Sequence, residues 1–178
     1  MPQLSSQSKI FFIFFIAIIL SSFIPSSYAD RVITYQTVVN VKKESLLSAM
    51  SQLQDYNKIF PNNVRYVRLL DNSTHLIEMN AGINGVYFDT QATYAIDKDG
   101  RYTIEVTSGD LKGTTMITTL KQTWGPGGQK DGATQANISL DMKTSGFLSW
   151  MLNFVPDDSV SFALEDGFYR FVKYAQTQ

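Results

Sequence analysis

Few side chains in this sequence could do chemistry. His75 is the single histidine. A histidine is a ready general base, but His75 adjoins the turn-forming Asn72-Ser73-Thr74, where water reaches it, so a solvated surface residue is expected. Cysteine is absent, which removes disulfides, thiolate metal ligands and a thiol nucleophile. A lone histidine also removes His-pair metal sites and leaves His75 as the only base a Ser-His-Asp triad could use. Glu78, Asp89, Glu105 and Asp141 alternate with apolar residues, which places each on the wet side of a strand. Glycoside and related acid-base chemistry requires two convergent carboxylates, and no such pair is expected to point inward. No catalytic residue, metal site or cofactor is therefore assigned.

The remaining polar motifs are similarly quiet. Lys and Arg number 15 against 16 Asp and Glu, a net charge of −1, which supplies no general field for gripping nucleic acid. Arg65, Arg68, Arg170 and Lys173 could make a small basic patch, and a solvated face accounts for them more simply. Asn72-Ser73-Thr74 and Asn137-Ile138-Ser139 are glycosylation sequons, used only in hosts with the machinery. At 44% hydrophobic and 17% charged residues, the composition is that of one ordinary globular domain.

The elements that must position these residues follow from periodicity. Val32–Val41 alternates and is rich in β-branched residues, as a half-buried strand is. Leu46, Leu47, Met50, Leu53 and Phe60 then recur at helical spacing up to Pro61, an amphipathic helix with a possible break near Asp55. Six strands are predicted next, over Val64–Leu70, His75–Ile83, Val86–Ile96, Tyr102–Thr107, Thr115–Trp124 and Thr134–Met142. The short turn sequences between most of them suit an antiparallel meander. Along Val86–Ile96 one face carries Phe88, Thr90, Ala92, Tyr94 and Ile96, so the sheet is expected to be covered on one side. After Pro156, residues Val160, Leu164, Phe168, Phe171 and Ala175 form the core stripe of a closing helix. The segment between, Gly146–Val155, is read as a connector, unusually dense in large apolar residues.

The chain opens with Lys9 and the uninterrupted apolar run Ile10–Leu20, followed by SSFIPSSYA. That run fits the roughly 7–15 residues of a secretory h-region and falls short of the roughly 18–20 of a membrane span. Ser27 and Ala29 supply the small residues of a cleavage site before Asp30. Residues 1–29 are thus expected to be a signal peptide and residues 30–178 a secreted, extracytoplasmic domain. The alternative is an uncleaved anchor extended to Ile24. A domain of this size buries about 68–70% of its unfolded surface, enough for stability without disulfides.

The order strand, helix, six-strand meander, long C-terminal helix resembles the helix-grip fold of the START-like polyketide cyclase superfamily. Asp55-Tyr56-Asn57-Lys58-Ile59-Phe60-Pro61 with Val64 and Val67 is similar to its aspartate, aromatic, proline and valine-rich strand pattern. Lys121-Gln122-Thr123-Trp124, a Gly-rich turn, Ala136-Asn137-Ile138-Ser139-Leu140 and Gly146 resemble its final third. The likeness is greatest to the branch of coenzyme Q-binding proteins and aromatase or cyclase enzymes. It implies an α+β fold in which a curved antiparallel sheet of about seven strands wraps a long C-terminal helix. It also implies a hydrophobic ligand between them, lined by Met79, Phe88, Tyr94, Ile104, Met116, Leu120 and Leu140 of the sheet and Leu164 and Phe168 of the helix. Trp150, in the apolar connector, is expected at a lid through which the ligand enters, with transient membrane contact.

Three functions compete at this point. They are an exported non-enzymatic carrier or sensor of a lipid or other apolar molecule, a cyclase or dehydratase orienting a polyketide-like substrate with pocket hydroxyls, and a ligand-free interaction module. The leader is open to direct test. N-terminal sequencing of protein from its own host is expected to read from Asp30; Met1 retained would replace secretion with anchoring.

Overall fold

The computed structural model describes residues 31–83, 85–128 and 132–178. The expected leader, residues 1–29, lies outside them. The strand β1 (Arg31–Val39) alternates in burial as its sequence does. The helix α1 (Lys43–Ser51) buries Leu46, Ala49 and Met50. A 3-10 turn over Leu53–Asp55 and the short helix α2 (Tyr56–Ile59) follow, so the predicted helix is broken where Asp55 stands.

Six strands come next: β2 (Val64–Asp71), β3 (Leu76–Ile83), β4 (Val86–Ile96), β5 (Arg101–Val106), β6 (Thr115–Thr123) and β7 (Ala133–Met142). All pairs are antiparallel, and the order is β1-β7-β6-β5-β4-β3-β2. The meander is the predicted one. His75 falls in the β2–β3 turn instead of in β3, with a left-handed φ of 52°. That conformation is strained for a side-chain-bearing residue outside a turn.

Two helices close the chain, α3 (Gly146–Leu152) and α4 (Asp157–Gln176). The segment read as a connector is therefore largely helical, and contacts distant in sequence make it so. Gly146 starts α3 at φ 57°, and a Cβ there would come within 2.8 Å of the Asp110 carboxylate. That carboxylate accepts from the Leu148 amide at 3.2 Å, and the Asp110 carbonyl accepts from the Ser145 amide at 2.8 Å. An acid at a helix N-terminus satisfies amides that would otherwise be unpaired. At the other end the Arg31 guanidinium donates to Val155 O at 2.7 Å and Leu152 O at 3.0 Å, and it lies 3.3 Å from Asp157.

The main core lies between the concave sheet face and the helices. It includes Leu46 and Met50 of α1, Tyr102, Leu120 and Ile138 of the sheet, and Phe168, Phe171, Val172 and Ala175 of α4. A smaller cluster of Met142, Leu148 and Leu152 packs under α3. The stripe predicted for α4 is buried in its C-terminal half, while Val160 and Leu164 are only half-buried. This difference predicts unequal mutants. Phe168→Ala is expected to destabilise by about 3–5 kcal/mol and Leu164→Ala by about 2 kcal/mol, because Leu164 has fewer neighbours to lose. Urea midpoints unchanged in both would mean that α4 does not grip the sheet.

Candidate ligand-binding cavity

Strand alternation puts Met79 and Ala81 of β3, Ile104 of β5, Met116 and Thr118 of β6 and Ile138 of β7 on one concave surface. Helical spacing turns Leu164, Gly167, Phe168 and Phe171 of α4 toward it. The two surfaces do not meet everywhere, and between them lies a cavity of about 350 Å³, closed on a third side by Met50, Tyr56 and Phe60. Tyr56, Phe60 and Phe171 form an edge-to-face wall, with ring centroids 6.0, 5.3 and 5.0 Å apart. Aromatic rings favour this arrangement over a face-to-face sandwich.

The rim is held by polar contacts. The Gly82 amide donates to Asn63 O at 2.7 Å, and the Asn63 side-chain amide donates to Gly82 O at 3.3 Å. The Tyr87 hydroxyl donates to Asn62 O at 2.9 Å, and the ring of Tyr87 lies so close that a Cβ on Gly82 would be 2.6 Å from it. These contacts tie the end of β3 and the start of β4 to the loop that precedes β2. Asp166 and Arg170 of α4 also border the cavity, joined at 2.7 Å.

The tyrosine hydroxyl against the cavity is already engaged. The Tyr56 hydroxyl donates to Met50 O at 2.6 Å and lies 2.9 Å from the Tyr102 hydroxyl, so the single Tyr102 proton completes the chain. Burial pushes the Tyr102 phenol up to about 12, and burial together with the neighbouring Tyr102 raises Tyr56 well above the ordinary tyrosine value. Both remain neutral donors at ordinary pH. The arrangement can enclose an apolar body, and among the described residues that line it the one carboxylate, Asp166, is paired with Arg170.

Met79, Ile104, Met116, Leu164 and Phe168 from the expected set all line this cavity. The other five sit elsewhere. Leu120 is 1% exposed within the packed core, and Tyr94 packs against that core with its ring stacked on His75 at 4.9 Å. Phe88 and Leu140 join the cluster beneath α3. Trp150 stands on α3, 61% exposed, and no residue of α3 is among those lining the cavity. His75, Asp89 and Glu105 are exposed, with Glu78 and Asp141 partly so, on the turn and outer face where alternation put them. Asp89 accepts there from Tyr66 and Asn80, which hold its carboxyl below the usual range. Tyr56, Thr118 and Gly167 line the cavity without having been singled out for it. Only Gly167 carried a signal, since a glycine inside a helix costs about 1 kcal/mol relative to alanine.

A second groove, about 940 Å³ and open to solvent, borders Lys58, Tyr169, Lys173 and Tyr174. Its charged walls offer an apolar ligand little, and the smaller apolar cavity is the better candidate.

No family model and no curated protein matches the sequence. Solved structures do match the fold. A START superfamily protein from Mycobacterium smegmatis superimposes with a TM-score of 0.58 and 13% identity, over 80% of this chain and 92% of that one. The ZhuI aromatase/cyclase from Streptomyces sp. R1128 gives 0.61 and 12%, over 82% and 93%. Ara h 8.0201 gives 0.60 and 16%, over 83% and 99%. At these identities the likeness establishes the fold.

The tyrosine pair makes stability depend on alkaline pH. An unfolded tyrosine titrates near 10, and the folded Tyr102 titrates at about 12. A group raised in the fold contributes fully below the unfolded value and loses that contribution as pH climbs through the folded one. For Tyr102 alone the loss is about 3 kcal/mol, spread between about pH 10 and 12. Urea unfolding of wild type and Tyr102→Phe at pH 9 and at pH 11 is expected to show a smaller decline in the variant. Equal declines would refute the assignment.

Proposed function

We propose, starting from the START-like helix-grip fold that the chain shares with these structures, that the protein is a non-enzymatic carrier or sensor. In this reading it holds a lipid or other apolar small molecule between the sheet and α4. It acts outside the cytoplasm after export, and transient contact with a membrane goes with a ligand of this kind. One observation carries the reading, a cavity of about 350 Å³ lined chiefly by Met, Ile, Leu, Phe and Ala side chains, with its charged groups confined to Asp166 and Arg170. Burying apolar ligand surface there is favourable by roughly 25 cal/mol per Å². Volumes of roughly 300–1,000 Å³ are usual for small-molecule sites.

The aromatase/cyclase among the structural neighbours keeps an enzymatic alternative in view. Such an enzyme would orient its substrate with cavity hydroxyls. Here the Tyr56 hydroxyl is committed to Met50 O and Tyr102, and the Asp166 carboxylate is paired with Arg170. Both facts favour holding over turnover. A ligand-free module would fill this volume with its own side chains.

Gly167 provides the test. A Cβ at this position meets only Phe60, at 3.9 Å, so a larger side chain enters the cavity without clashing with the backbone. Gly167→Leu is expected to weaken binding of a fluorescent fatty acid about tenfold or more while leaving stability unchanged or raised by about 1 kcal/mol. Gly167→Ala should keep most of the affinity. Native mass spectrometry of protein from its own host is expected to show a bound apolar mass. Undiminished binding by a folded Gly167→Leu would refute the cavity as the site.

A further inference from the structure

The short helix α3 is apolar on two sides. Leu148 and Leu152 face inward onto Met142, while Phe147, Trp150 and Phe154 face out, 63%, 61% and 74% exposed. These three rings form one continuous cluster, the first pair tilted and the second edge-to-face, with successive centroids 5.9 and 5.5 Å apart. Phe162, in the first half of α4, is exposed as well. Exposed apolar surface so concentrated marks a contact with a second apolar phase.

The backbone that carries these rings is held firmly. Asp110 binds the N-terminal end of α3, and Arg31 binds the carbonyls of Leu152 and Val155 at the other. The second contact also places the rings at the end of the domain where residues 1–30 join it, at Arg31. The apolar character of that leader ends at Ile24, seven residues before Arg31, a stretch that spans at most about 25 Å. A leader of that composition meets a membrane whether it is later cleaved or kept. While that leader is attached, the α3 end of the domain is the part brought nearest to the bilayer.

Charge narrows the choice of surface. From Gly146 to Pro156 there is no ionic side chain, and the cations that flank it are each paired with an acid, Lys143 with Asp141 at 3.2 Å and Arg31 with Asp157 at 3.3 Å. A surface bounded in this way is not attracted to anionic lipid. Tryptophan, with an apolar ring and one N–H donor, suits the boundary between headgroups and acyl chains. No helix among the described residues is long and apolar enough to cross a membrane, so the contact is interfacial. We propose that the face made by Phe147 and Trp150 of α3 and Phe154 of the turn that follows docks on the surface of a zwitterionic lipid bilayer. This docking does not depend on what the cavity holds.

The chain has two tryptophans, and Trp124 is exposed, so Trp124→Phe leaves Trp150 as sole reporter in a folded protein. The full chain carrying that change is reconstituted into phosphatidylcholine vesicles, with or without bromine on the lipid chains near the headgroups. Rings seated about 5–10 Å into the boundary come within reach of the bromines, and Trp150 is expected to lose about half its emission. Adding Phe147→Ser and Phe154→Ser should abolish that loss at equal incorporation, and phosphatidylglycerol should not increase it. Trp150 unquenched by bromine and open to aqueous acrylamide would overturn the proposal. Trp150 shielded from both quenchers in a cross-linkable dimer would assign the face to a second copy, and would overturn it too. Fatty-acid binding measured on the same vesicle-free variants is expected to be unchanged, which separates this result from the fate of the cavity.

Discussion

The rest of the structure depends on the pairing of the first strand with the last. The register from Arg31 opposite Met142 to Val39 opposite Thr134 makes β1 an edge of the sheet that the meander alone would leave at β7. At one end the Thr134 hydroxyl donates to Val41 O at 2.6 Å, which fixes where the chain turns into α1. At the other end the register delivers Arg31 to the corner between α3 and α4. Backbone pairing in a sheet is specified most strongly where one face is buried. Here that face carries Ile33, Tyr35 and Val39 of β1 beside Ala136 and Ile138 of β7.

The cavity is a by-product of how α4 meets this frame. Its C-terminal half is pressed against α1 and the sheet through Phe168, Phe171, Val172 and Ala175. Its N-terminal half stands over the strands, and Gly167, at the middle of the helix, adds no side chain to the gap. Interiors are otherwise packed to crystal-like density, so a void of about 350 Å³ beside a dense core reflects where large side chains were placed. Thr118 and Gly167 leave room, while Tyr56, Phe60 and Phe171 set the limit of that room.

Much of the fold was legible because it rests on local periodicity. The strand boundaries follow alternation, the break in the first helix falls at Asp55, and the closing helix follows its apolar stripe. The site was half legible for a physical reason. Met116 and Leu120 share one face of β6, yet the first borders open space and the second is sealed in the core. Alternation shows which way a side chain points, and it carries no information on whether a helix comes down on it. The helicity of Gly146–Leu152 was hidden for a similar reason, since the groups that hold it, Asp110 and Arg31, lie far away in sequence.

The Arg31 contact also orders events in time. Its partners Leu152 and Val155 are 121 and 124 residues further along. A chain that emerges N-terminus first carries β1 exposed and unpaired until nearly all of it has appeared. Contacts so distant in sequence make folding slow, because the closure entropy of the whole chain is spent before they form. For that interval β1 is a strand without a partner, while the hairpins from β2 to β7 close on their own short turns, so the first residues to appear are the last to be set in the sheet.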